Sequence, residues 1–196
     1  MASSRDQILK AVKQNQPPVT ELPVISDYAQ PFTDVVQKYI DVLHAIGGQV
    51  HPVSSYPEIS SILKSAFNGK SIFSSSLEIE EIIEKGINYK NAHAFADLEL
   101  AVITSSLAVA ENGAVWITED MVQERVLPFI AQHLAFIIRA DDIVPTMHEA
   151  YEQIGDADYG FGTFIAGPSK TADIEQSLVL GAHGPKSLLV FIIMSK

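Results

Sequence analysis

Residues Gly160 to Ile193 read GFGTFIAGPSKTADIEQSLVLGAHGPKSLLVFII, and the fold class turns on how this stretch is parsed. Two apolar runs, GFGTFIAG and SLLVFII, bracket a segment from Ala172 to Leu180 that fits a short helix. Neither run alternates polar with apolar residues, as a strand with one wet face does. Uninterrupted Ile, Val, Leu and Phe suit strands covered on both faces, the usual setting of a parallel sheet. Strand, helix and parallel strand is therefore the expectation here.

The same alternation extends outward. TDVVQKYIDVLHAIGG places Val35, Val36, Tyr39, Ile40, Leu43 and Ile46 on one helical face, with Thr33 as N-cap and Gly47 past the end. Strand-like QVHPV, a helix from Tyr56 to Phe67, SIFSS, a helix around Glu78 to Lys85 and a long apolar stretch from Leu98 to Ala110 follow. AVWIT, a helical piece around Val122 to Gln132, LAFIIRA and a helix from Ile143 to Ile154 complete the series. The pattern predicts an α/β fold: an open, mainly parallel sheet flanked by helices. Residues 1–30 read as a thin extension, a helix over Ser4–Gln14 and then an arm with four prolines in QPPVTELPVISDYAQP, where fixed φ and missing donors discourage regular structure. Residues 31–196 read as one α/β domain, since a chain of 196 residues suits a single substantial core.

Composition narrows the function. Hydrophobic residues at 47% and charged residues at 19% describe a folded globular chain. Thirteen Lys and Arg against 24 Asp and Glu leave a net charge of -11, which repels phosphate backbones and argues against nucleic acid as a partner. No apolar run approaches the roughly 20 residues that span a bilayer, and MASSRDQILK lacks the apolar core of a signal peptide. A cytoplasmic protein without membrane contact is expected. The chain has no cysteine, so it cannot itself ligate an iron-sulfur cluster or a zinc-thiolate site. His93 and Asp97 stand four apart without a third ligand, and no metal site is expected.

Three short segments could carry chemistry. In AGPSKTADIE, a strand ending at Gly167 and a helix beginning near Thr171 would aim free amides and the positive end of a helix dipole at one point. Ser169, Lys170 and Thr171 add hydroxyls and a cation, so the segment reads either as a cradle for a carboxylate or phosphate or as an ordinary capped helix start. In GAHGPK, Gly181 and Gly184 are turn glycines, and His183 is either an acid or base beside an anion or a solvated loop residue. In VAENGAVWIT, Asn112-Gly113 marks a tight hairpin. There Glu111 is either a polar turn residue or a partly buried carboxylate able to act as base or nucleophile.

AENGAVWI, VLPFIAQHLAFII, AGPSKTADIE and LVLGAHGPKSLLVFII, in that order, resemble the lactate utilization protein C family, whose shared unit is the LUD domain. The resemblance spans roughly Phe32 to Ile193. It implies a fold similar to the NagB/RpiA/CoA-transferase group, with a crevice at the strand ends. It also implies a part in oxidising L-lactate to pyruvate together with iron-sulfur partner proteins, with clusters held by the partners and no cofactor defined for this chain. Under it, Gly167, Ser169, Lys170, Thr171, Gly184 and Lys186 become binding residues for a small carboxylate or phosphate-bearing ligand, and His183 a catalytic candidate. Class I CoA-transferases use a glutamate in a Glu-Asn-Gly context, which makes Glu111 a candidate nucleophile. A non-catalytic assembly subunit and a homo-oligomer are compatible with the same residues.

Overall fold

The computed structural model describes residues 3–21, 32–82, 92–122, 124–174 and 177–194. By its internal contacts the chain divides into two compact units, Met1–Pro31 and Phe32–Lys196. In the first, α1 (Ser4–Gln14) opens with a capping box. Ser3 Oγ accepts from the Asp6 amide at 3.2 Å, and the Asp6 carboxylate accepts from the Ser3 amide at 3.1 Å. The Ser3 hydroxyl, donating to the same carboxylate at 2.8 Å, and then the Ser3 amide hold the Asp6 carboxyl below its ordinary range. The remainder of the expected proline-rich arm, residues 22–31, lies outside the described residues.

The second unit runs α2 (Val35–Ala45), β1 (Gln49–Val53), α3 (Tyr56–Ala66), β2 (Ile72–Ser74), β3 (Leu100–Thr104), β4 (Ala108–Val109), β5 (Ala114–Thr118), α4 (Leu127–Ile130), β6 (His133–Arg139), β7 (Ile143–Val144), α5 (Met147–Ile154), β8 (Gly162–Ala166), β9 (Lys170–Ile174), β10 (Ser177–Leu180) and β11 (Ser187–Ile193). Asp34, rather than Thr33, caps α2, its carboxylate accepting from the Gln37 amide at 2.9 Å. The helix expected around Glu78–Lys85 is a 3-10 segment over Leu77–Ile82, and its continuation falls outside the described residues. Of the helical piece expected over Val122–Gln132, one turn forms among the described residues, at α4.

Five strands form a wholly parallel sheet in the order β1-β11-β6-β3-β2. Its inner strands β3, β6 and β11 are buried on both faces. On β6, Leu134, Phe136 and Ile138 join one apolar cluster with Tyr39 and Leu43 of α2, while Ala135 and Ile137 join another with Ile59 and Leu63 of α3. Burial of successive side chains on opposite faces is why these runs lack alternation.

A second sheet, β7-β4-β5-β8, packs on the α2 side. Ala108, Val115 and Ile117 face the main core, and Val109 and Trp116 face α5 through Ala150 and Ile154. AVWIT and GFGTFIAG therefore belong to this sheet, where β5 runs antiparallel to β4 and β8, and not to the parallel one.

Among the described residues of Ala172–Leu180 the expected helix is absent. In its place β9 and β10 pair antiparallel, with Val179 opposite Thr171 and Leu180 opposite Lys170. A nine-residue helix would hold its ends about 13 Å apart, whereas the Gly181 amide donates to the Ser169 carbonyl at 3.0 Å. A chain that must return to its starting point closes as a hairpin. No helix among the described residues is long and apolar enough to cross a membrane.

Phe136 is fully buried on the central strand of the parallel sheet. Phe136→Ala should lower the unfolding free energy by about 3–5 kcal/mol through lost burial and an unfilled cavity. Urea unfolding is the check, with the midpoint falling and the slope held.

Candidate functional site

The three segments singled out from sequence meet within the second unit. Ala114 pairs with Ala166, which sets Gly113 beside Gly167 across the β5–β8 ladder. Both glycines have positive φ, 70° and 72°. Both also press on the last turn of α2: a Cβ at Gly113 would stand 3.2 Å from Ile46 Cδ1, and one at Gly167 3.0 Å from the Ile46 carbonyl oxygen. From there the Ser169 amide donates to the Pro185 carbonyl at 2.9 Å, and a Cβ at Gly184 would lie 3.1 Å from Ser169 Cβ. The Lys186 amide donates to the Gln132 carbonyl at 2.8 Å. Gly167, Ser169, Gly184 and the approach to β11 are thus one interlocked set of turns.

This geometry corrects the reason for expecting a cradle there. No helix follows Thr171, so no helix N-terminus faces the turn. The amides of Ser169, Gly181 and Lys186 are spent on backbone carbonyls. The nearest helix end is the carbonyl end of α2, along which the Lys170 stem runs, its Cε 4.0 Å from a Cβ position at Gly47. A helix C-terminus attracts a cation and repels an anion, so the local dipole has the opposite sign to the one expected. Lys170, His183 and Lys186 are exposed and Thr171 half-buried.

Glu111 sits in the four-residue turn Ala110–Gly113, closed by the Gly113 amide on the Val109 carbonyl at 2.9 Å. The hairpin forms, with a loop longer than the two residues Asn-Gly suggests. The Glu111 side chain is exposed rather than partly buried.

The HGPK turn leads into β11, so the interlocked turns lie at the amino rim of the parallel sheet. Seven residues of β11 at about 3.3 Å each separate this rim from the carboxyl one by about 20 Å. In open parallel sheets ligands bind beyond the carboxyl ends of strands. At that rim lies a cleft of about 250 Å³. The chain leaving β3 supplies Thr104, Ser105 and Ser106; β6 ends in Arg139, followed by Asp142; Tyr56 opens α3; Ile137, Ile138, Ile193 and Met121 form apolar wall.

The polar groups of this cleft are unevenly satisfied. Ser105 Oγ donates to the Trp116 carbonyl and accepts from the Leu107 amide at 3.2 Å, which pins the crossing from one sheet to the other. Thr104 Oγ1 is buried with no hydrogen-bond partner. Burial pushes the Asp142 carboxyl up, against a hydrogen bond from the Arg139 backbone and the Arg139 guanidinium, which pull it down. Burial also raises the Tyr56 phenol, and so do the Glu78 and Asp142 carboxylates, with Arg139 opposing. The lining thus combines a guanidinium, a carboxyl, hydroxyl groups and an apolar wall.

The missed residues carried a signal. Each follows the last apolar residue of a strand in a sheet read as parallel, at Thr104-Ser105-Ser106 and at Arg139-Ala140-Asp141-Asp142. Among the described residues, no group of three or more His, Asp and Glu side chains could hold a metal ion.

A family model described as the LUD domain matches residues 70–193. Lactate utilization protein C of Oceanobacillus iheyensis is 29% identical over 118 residues, covering 57% of this chain and 51% of that protein. Its namesake from Deinococcus radiodurans is 34% identical over 107 residues, 52% of this chain and 50% of that one. The chain spans about half the length of the curated relatives it matches. Among solved structures, a DUF162 family protein from Deinococcus radiodurans shares the fold, with a TM-score of 0.60 and 16% identity over 84% of this chain and 100% of that one.

Two expectations follow from the geometry of the rims. Gly167→Ala forces a side chain against backbone at positive φ and should cost about 1–3 kcal/mol, while Lys170→Ala and Lys186→Ala stay within about 0.5 kcal/mol of the parent; thermal melts compare them. Because the folded Asp142 pKa lies above its unfolded value, the folded chain holds the extra proton, and stability falls as pH rises through that window. Asp142→Asn should therefore melt higher than the parent at pH 7, with the difference vanishing well below the ordinary carboxylate range.

Proposed function

The chain belongs to the LUD domain family, and from that premise we propose that it is a lactate-utilization component that binds a small carboxylate in the cleft at the carboxyl rim. The observation that carries this reading is a cleft lined both by Arg139 and by Thr104, whose Oγ1 is buried without a hydrogen-bond partner. A buried hydroxyl without a partner is costly, and a bound acid oxygen would satisfy it. In the proposal the Arg139 guanidinium takes the carboxylate through parallel N–H donors, and Ile138, Ile193 and Met121 face the apolar end of the acid. Asp142 is placed to accept from a 2-hydroxyl group. Electron transfer from the acid is assigned to partner proteins that carry iron-sulfur clusters, because this chain has no cysteine to hold one.

A second reading keeps the amino rim. Its support is the convergence of Gly167–Thr171 and His183–Lys186, which gathers Lys170, His183 and Lys186 on an exposed surface of a chain whose net charge is -11. In that reading the side-chain cations, rather than amides, attract a carboxylate or phosphate-bearing ligand.

One titration separates the two. Calorimetry with L-lactate should give saturable binding that Arg139→Gln weakens by about 10- to 100-fold, the size of a lost charge-assisted pair, with Thr104→Val weakening it less. Lys170→Ala and Lys186→Ala should leave it unchanged. Loss of binding in the lysine variants with Arg139→Gln unaffected would transfer the site to the amino rim, and no saturable heat with the parent chain removes the carboxyl-rim reading.

A further inference from the structure

The carboxyl-rim cleft does not end at Ser106 and Met121. The same two residues line an adjoining hollow of about 310 Å³, whose other walls include Trp116, Tyr159, Asp120, Asp158 and Gln153. The two hollows differ in charge. Arg139 and Asp142 both line the first; no lysine or arginine is among the described lining of the second, which carries two exposed carboxylates instead.

Its aromatic wall is held rigidly. Trp116 is 8% exposed. Phe164 packs on it at a centroid distance of 4.6 Å, and Tyr159 meets it edge-on at 5.3 Å. Gly162 lies under the indole, where a Cβ would stand only 2.4 Å from its outer carbon Cη2. The ring is therefore packed against β8 through Gly162 and Phe164.

We propose that this second hollow is a binding site for a flat, positively charged or N–H-rich ring, such as a pyridinium or an amino-substituted heterocycle, seated beside the acid site. An aromatic wall favours a planar cation through the ring quadrupole, and carboxylates at the mouth add attraction of the same sense. Both effects disfavour an anionic ring of the same shape. The shared residues Ser106 and Met121 would put such a ring next to whatever occupies the Arg139 hollow. The proposal is independent of the lactate reading, since nothing in the second hollow relies on Arg139.

Trp116 is the only tryptophan in the chain, so its emission reports this hollow alone. Titration of the full chain with benzamidine, a planar cation, should change that emission saturably. Benzoate, its anionic counterpart, should bind about tenfold or more weakly. The double variant Asp120→Asn, Asp158→Asn should weaken benzamidine by about fivefold or more, with the melting curve and Arg139-dependent lactate binding unchanged. Absence of a saturable response to either probe overturns the proposal, as does benzoate binding equal to benzamidine, or a double variant that binds benzamidine like the parent. If the double variant folds poorly, each single variant measured against the same two probes decides the matter, with the same outcomes.

Discussion

Burial of β3, β6 and β11 on both faces is the constraint from which the rest of this structure follows. With α3 on one side and α2 plus the smaller sheet on the other, the strands have no free face to offer a ligand. Only the two rims, where backbone leaves the ladder, can present polar groups. Those rims are about 20 Å apart along β11 and have unlike construction.

At the amino rim, backbone groups satisfy one another. The Gly113 and Gly167 turns close on Ile46, the Ser169 and Gly181 amides find carbonyls, and the glycines are there because a side chain would strike backbone. A similar economy holds at His133, whose Nδ1 and the Ser187 hydroxyl lie 2.7 Å apart and whose burial keeps its pKa below the usual imidazole range. At the carboxyl rim the opposite holds: Thr104 Oγ1 is unpaired, a carboxyl is raised by burial, and a guanidinium lies close to it. Unspent polar capacity in a concave place marks ligand chemistry better than a cluster of suggestive residue types does.

Much of the local structure was legible beforehand. α1, α3 and β1 fall within a residue or so of where periodicity and turn residues put them, because capping and apolar period are properties of neighbouring residues. The Gly47 helix end was legible for the same reason, its φ of 92° being one that only glycine adopts freely. Family membership was readable from the ordered motifs. The site was legible only in part: the three motifs do converge, yet the amides and dipole assigned to them depended on a helix that is a hairpin.

Sequence alone determined which segments are apolar enough to be buried, where the turns fall, that no cysteine chemistry is available and that the charge is acidic. It left undetermined which strand pairs with which. β5 and β8 read like members of the parallel sheet but belong to a second one, and Ala172–Leu180 has no local feature that decides helix against hairpin. Those choices rest on contacts between residues far apart in the chain, such as Ser187 opposite His133 and Ala166 opposite Ala114. Apolar pattern records that a side chain is buried, not against what. Only the assembled sheets could bring Tyr56, Thr104 and the Arg139–Asp142 run, from three separate segments, into one cleft.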